Sequence, residues 1–503
     1  MTSIRLRPAL AAPLLVVATI LAGAPQAGSQ VPVACEAPPG GAAGTWLARA
    51  RAAVDLPGSG VLRQKNVVRQ SMNFQSDRPY PPFFSGYDVT ENWYDVASGI
   101  ERSDIASVYA LTGPGVPRTL VSDEAHAWVL RGEDLAEQPA ALEFATLRRA
   151  LNPWAVLFDW SGSLDVRVLG LCSYRGEARV VLERTSAVLE RLFLDRDTGL
   201  PVKTDRLAPH ATWGQRHEEV VWSNWLGVPG GGVYPADATR LADGEVEWSR
   251  TAGETSWSPT QDPVIGGLPA PTMPAPAPDP FLKNWTRQDP DTIRVSADVV
   301  VLKHAAYNTV LVRAADTVFV LDAPLSQDRA RQDSTWAARL FPEAPHRVLV
   351  VTDLAWPHIG GVRFWVARGA KVVSHPWSRA FLEAVVDRVW TAAPDVLEAE
   401  RATRAIPFDF IPVGETLDLG SGVVRVSHIG GRAAEGALMA FLPRERFLWV
   451  GDFVQDLGGP TLYAEDVLAA VAAASLTPTG FAAQHLPPGA WVEVERANGR
   501  RAR

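Results

Sequence analysis

The stretch VLVVTDLAWPHIGG, Val348 to Gly361, begins as an apolar strand, breaks at a polar turn and resumes as the start of a helix around two glycines. Its turn carries Asp353 and His358, a carboxylate and an imidazole, side chains that commonly exchange protons in catalysis. Two more residues of these types directly follow apolar runs: Asp452 in LWVGDF and His485 in FAAQHLPPG. A plainer reading fits each of them. A Gly-Asp after a strand is often a carboxylate that caps a turn, and a histidine at a strand end is often a satisfied polar group.

The elements that must position these residues belong to a chain of 503 residues, enough for two to three domains that each bury a core. A content of 47% hydrophobic and 21% charged residues is that of an ordinary globular protein. The net charge of -8 is modest and the basic residues are scattered, so a nucleic-acid or anionic-membrane partner is not expected. Small or neutral partners, a small-molecule ligand among them, are as much to be expected as charged ones.

Arg5 and Arg7 precede an apolar run from Ala9 to about Ala24, followed by small residues, the pattern of a secretory signal peptide over 1–29. The run is too short for a convincing membrane span, and no other segment approaches 18 apolar residues. The mature protein is expected to be exported, periplasmic or extracellular. Cys35 and Cys172 are then free to pair or to stay as thiols, and sequence alone does not choose between the two. A lipid anchor at Cys35 is not expected, because Pro32-Val33-Ala34 is a poor lipobox.

Between Ser258 and Pro280 eight prolines fall in 23 residues. That density favours extended polyproline II, so 258–285 reads as a semi-rigid spacer. Before it, over 40–257, short alternating runs such as HAWVLRG and DVRVLGLCSYRGEARVVLER predict antiparallel strands, with hairpin turns at Arg175-Gly176-Glu177 and Asp195 to Gly199 and a helix near Pro139 to Ala150. The phrases LERLFLDRDTGLPVKTDRL and EEVVWSNWLGVPGGGVYP resemble the curved half-barrel of periplasmic lipoprotein-carrier domains, over about residues 60–250. That resemblance implies a sheet around an apolar cavity and a lipid-like ligand; a generic β-rich accessory domain is the other reading.

After the spacer, strands alternate with helices, including a polar helix from about Gln327 to Leu340, and end in polar turns. NTVLVRAADTVFVLDAP, VLVVTDLAWPHIGG, GAKVVSHP, LPRERFLWVGDF and FAAQHLPPG, in that order, resemble the metallo-β-lactamase fold superfamily over about Ile293 to Trp491. The expected fold class is therefore α+β: a C-terminal four-layer αββα metallo-β-lactamase fold over 286–495, preceded by the antiparallel β-rich domain.

Members of that family carry Thr-His-x-His-x-Asp-His at the strand end quoted first, ligands for two zinc ions. Here Asp353 replaces the first histidine, Ala355 the second and Pro357 the aspartate, while His358 stands where the family has a ligand. A further family histidine maps to Ala433. Asp452 matches the carboxylate that bridges the two metals, and His485 the final histidine. The resemblance thus implies a degenerate centre: binuclear zinc is not expected, and His358, Asp452 and His485 are left as ligands for one zinc, or iron. Asp353 is then a candidate base, and Trp356 with Pro357 suggests a pocket remade for an apolar partner. His428, on an alternating strand, reads first as a core or surface residue and second as a replacement ligand, His375 lies in a turn outside the metal shell, and His304 and His346 read as loop residues.

Two classes of function follow. One is a catalytically weak or inactive, metal-free family member that acts by binding a ligand. The other is a mononuclear metal-dependent hydrolase of esters, amides or lactams.

Overall fold

The computed structural model describes residues 35–499, except 38–39, 56, 72–84, 110–112, 133, 186–187, 276–278, 280–281, 287, 306, 392, 432–434 and 459–461. The leader over 1–29 and Ala433 therefore lie outside the described residues.

The first half builds one sheet of fifteen strands. Its strands from Arg167–Tyr174 to Glu245–Ser258 follow one another as an antiparallel meander, and Glu245–Ser258 then pairs with Val61–Ser71, which begins a second meander. In Val61–Ser71 the side chains alternate as a pleated strand requires: Leu62, Gln64, Asn66 and Val68 point inward, Arg63, Lys65, Val67 and Arg69 outward. The helices Ala43–Ala53 and Pro153–Ser161 fill the inner side, with Trp46, Trp154, Leu157 and Trp160 in one core with Leu62, Val180 and Trp222. The helix read near Pro139 to Ala150 is present as a 3-10 turn, Pro139–Ala141, and an α-helix, Leu142–Arg149.

One small space on the inner side of this sheet is lined by Gln64, Asn66, Asn92, Glu101, Arg148, Asn152, Tyr234 and Arg250, with Val68 and Leu151 as apolar members. The cause of this lining is the phase of the pleat, which turns the polar members of Val61–Ser71, Ser85–Asp95 and Glu101–Tyr109 inward. Arg148 pairs with the buried Asp88, and Asn92 and Asn152 both donate to Glu101.

Cys35 and Cys172 lie opposite each other across an antiparallel pair and form a disulfide. Among the described residues no helix is long and apolar enough to cross a membrane.

The spacer is tied down where it leaves the sheet. Asp262 caps the short helix Pro263–Gly266 and accepts from Arg102 at 3.2 Å, Ile265 is buried, and Thr272 donates to Glu137.

The second half holds a seven-stranded and a six-stranded sheet. Val299–Lys303 shows why these strands read as unbroken apolar runs. Val300 and Leu302 join Val318, Leu349, Phe364, Trp365 and Leu382 in a core shared with helices, while Val299 and Val301 join Val424, Leu438, Leu442 and Trp449 in a core shared with the other sheet. A strand covered on both faces needs no polar alternation. The far side of the six-stranded sheet, with Met439, Phe441 and Leu448, packs against Val467, Val471, Trp491 and Val494 of the two last helices.

Candidate metal centre

The strand His346–Val350 ends in the turn read first from the sequence, and a short helix, Trp356–Ile359, containing His358, comes before the two glycines around which the sequence places a helix start. Proline at its second position fits, because the N–H it lacks would have no intrahelical partner there. Val362–Ala367 follows as a separate helix.

His358, Asp452 and His485 converge: their ligand atoms all lie within 4.8 Å of one another. His358 Nε2 is 3.8 Å from Asp452 Oδ2, and His485 Nε2 is 3.0 Å from Asp452 Oδ1. Asp452 Oδ1 is buried against His485 Nε2, whereas Oδ2 accepts from Gln455 Nε2 at 2.7 Å.

Asp353 is buried beside His358, its Oδ1 2.5 Å from Nδ1, and the same oxygen accepts from Ala355 N at 2.9 Å. Burial alone would discharge His358, but Asp353, Asp452 and Asp322 outweigh it and raise the imidazole to about 9. Asp452 resists the same burial through His358 and His485, which hold its carboxyl below the usual range.

Two residues absent from the sequence reading shape the site. Asp322 ends the strand Thr317–Leu321 and is fully buried. It accepts from Thr352 N and Oγ1 at 2.7 Å, from Trp449 Nε1 at 2.8 Å and from Gln484 Nε2 at 3.1 Å. Thr352 precedes Asp353 and Gln484 precedes His485, so one carboxylate ties together the turns that carry the site. Burial and the nearby Asp353 raise Asp322 to about 6. The available signal was an acid ending the apolar run TVFVL. Gly451 closes the arrangement: at φ 56° its Cα faces Thr352, and a Cβ would lie 2.4 Å from Thr352 Oγ1.

Tyr307 is the second. Its ring centroid lies 4.7 Å from that of His485 and 5.5 Å from that of His358. Burial, with Asp452 and Asp353 adding to it, pushes its hydroxyl up to about 12, so it stays neutral. Asn308 fixes the neighbouring backbone by donating Nδ2 to the carbonyls of Ala483 and Leu486.

Other candidates fall elsewhere. His428 stacks on His375 with centroids 4.5 Å apart, and its Nε2 meets the Glu435 carbonyl at 2.9 Å. His304 sits 3.4 Å from Asp333, beside Arg329. Trp356 packs edge-to-face on His210 of the first half, 4.9 Å between centroids, and Pro357 is buried. A second cluster, Asp205, His217 and Glu219, already holds a cation: Lys203 Nζ lies 2.5 Å from Glu219 and 3.2 Å from Asp205.

The residues present fit one metal ion. The ligand atoms of two imidazoles and a carboxylate lie within 4.8 Å of one another, with an orienting carboxylate behind His358. Among the described residues, Ala355 and Pro357 offer no side-chain donor to a second ion, and Asp353 offers only Oδ2, its Oδ1 being engaged by His358 and Ala355.

Solved structures similar to this chain include two kinds of protein. A metallo-beta-lactamase from Erythrobacter litoralis is 17% identical, with 41% of this chain and 97% of that chain covered and a TM-score of 0.30. The metallo-beta-lactamase FIM-1 from Pseudomonas aeruginosa, in its mono-zinc form, is 14% identical over 41% of this chain and 92% of that one, with a TM-score of 0.31. A LolA superfamily protein from Nitrosomonas europaea is 13% identical over 45% of this chain and 97% of that one, with a TM-score of 0.32. The chain is similar to both kinds. No family model and no curated protein matches it.

Proposed function

We propose that the chain is an exported protein with a mononuclear metal centre, a metal-dependent hydrolase of esters, amides or lactams. The observation that carries this is the convergence of His358, Asp452 and His485, whose ligand atoms lie within 4.8 Å of one another, with Asp353 behind His358. It favours the hydrolase reading over a metal-free ligand binder, because two imidazoles and a carboxylate within that reach are a donor set for one divalent ion with positions left for water and substrate.

In this reading 286–495 is a four-layer αββα unit. The two apolar faces of its central strands and the helices on both outer sides support that layering. Residues 40–257 form a β-rich domain and 258–285 the connection. The leader-like N-terminus and the Cys35–Cys172 disulfide support export.

The chain's own groups divide the work. His358, Asp452 and His485 would hold the ion, zinc or iron. A divalent ion there supplies Lewis acidity toward a carbonyl and acidifies water. Asp353 keeps the His358 Nδ1 proton and thereby turns Nε2 toward Asp452. Gln455 fixes the other oxygen of Asp452. Tyr307 covers the imidazoles and offers a neutral hydroxyl as a hydrogen-bond donor.

The test is elemental analysis of untagged protein purified without chelators, for the parent and for Asp452→Ala, followed by an ester and lactam screen. About one zinc or iron per chain, lost in the variant, with hydrolysis that a chelator stops, is the expected result. Metal-free parent protein would return the function to ligand binding.

A further inference from the structure

The first half reaches the strand end that carries His358. The turn between Pro201–His210 and Gly214–Gly227 projects from the first sheet, and Trp213 joins the core of the second half, its ring 5.6 Å from Phe381 at 87°. Thr212, 1% exposed, donates its hydroxyl to the Trp356 carbonyl at 3.0 Å. The turn that presents Thr212 is closed by His210, whose Nδ1 accepts from Thr212 N at 3.1 Å and Trp213 N at 3.3 Å. Burial, with Arg216 second, holds His210 well below its ordinary value, so Nδ1 stays an acceptor.

The second half holds the turn from behind. Arg388 donates to the carbonyls of Trp213 at 2.8 Å and Gln215 at 2.5 Å and pairs with Asp243 at 3.0 Å, while Thr391 donates to Gln215 Oε1 at 2.7 Å. Gly214, at φ 68°, lies flat against Trp390, where a Cβ would come within 2.4 Å of the ring.

The grip falls on an element that cannot set its own geometry. Trp356–Ile359 is a four-residue helix, and so short a helix gets its orientation from outside contacts. One side is held by Leu325 N donating to the Pro357 carbonyl at 2.7 Å and Ala323 N to the His358 carbonyl at 3.3 Å. Thr212 and His210 hold the other.

We infer that Thr212 is a positioning residue for the metal centre. By fixing the Trp356 carbonyl it sets the tilt of the short helix and the aim of His358 Nε2 at Asp452. The first half is then a structural part of the centre rather than a tethered accessory, an inference that rests on the mononuclear reading above.

The experiment uses the full chain as Thr212→Val, Thr212→Ala and Thr212→Ser, with Thr391→Val as a control that cuts a bond in the same interface away from the helix. Two readouts are taken: zinc affinity by competition with a chromophoric chelator, and the His358 side-chain nitrogen resonances in zinc-free protein, assigned by their loss in His358→Gln. Thr212→Val and Thr212→Ala should weaken zinc about tenfold and shift the His358 resonances, Thr212→Ser should restore both, and Thr391→Val should change neither. Parent-like zinc affinity and parent-like resonances in both the Val and Ala variants would overturn the inference. If the parent binds neither zinc nor iron, the mononuclear reading fails, and the His358 resonances alone decide whether Thr212 orients the ring.

Discussion

Asp353 Oδ1 lies 2.5 Å from His358 Nδ1, a buried carboxylate set directly behind a buried imidazole. A carboxylate behind an imidazole fixes its tautomer and raises its basicity as a ligand.

Removing that partner should therefore act on the ion before it acts on chemistry. Asp353→Ala is expected to lower zinc affinity about 10- to 100-fold in a chelator competition, with Asp353→Asn, which keeps an acceptor but not the charge, between it and the parent. Unchanged affinity with a lower hydrolytic rate at saturating zinc would instead assign Asp353 the role of proton acceptor.

Asp322 predicts a stability effect. Asp322→Ala deprives Thr352, Trp449 and Gln484 of a buried acceptor at once. Unsatisfied buried donors cost about 1–3 kcal/mol each, and partial relaxation brings the expected loss to roughly 3 kcal/mol or more. Urea unfolding of both proteins measures it; a loss below about 1 kcal/mol would mean that the three turns hold together without this carboxylate.

The cluster on the first sheet gives a pH dependence with a definite sign. Asp205, by hydrogen bond and charge, and Glu219 raise the imidazole of His217 above its ordinary value despite burial and the nearby Lys203. A group whose folded pKa is raised adds stability that is complete below the unfolded value, about 6.5, and fades as pH rises through the folded one. The gap in unfolding free energy between the parent and His217→Gln should thus be widest near pH 5.5 and narrow by about pH 8.5, staying under about 1 kcal/mol for a partly exposed pair. A gap that widens with pH would contradict the sign.

Much of this molecule is written locally. The alternation in Val61–Ser71, the turn at Arg175-Gly176 and the polar helix Gln327–Leu340 are periodic or punctuated features, because strands repeat every two residues and turns need particular residues. The strand ends carrying Asp353, His358, Asp452 and His485 are legible for the same reason, since a polar residue after an apolar run marks where a strand leaves its sheet.

The rest depended on distance in space. No local pattern distinguishes Asp322 from any acid at a strand end until Thr352, Trp449 and Gln484 are folded around it. The pairing of Cys35 with Cys172 spans 137 residues, and the contact of Thr212 with Trp356 spans 144. Residue types and their periods fixed the elements and the chemistry each can offer. Which carboxylate faces which imidazole, and which half holds the short helix that carries His358, was decided by tertiary packing alone, because convergence is a property of the whole chain's path and not of any one segment's pattern.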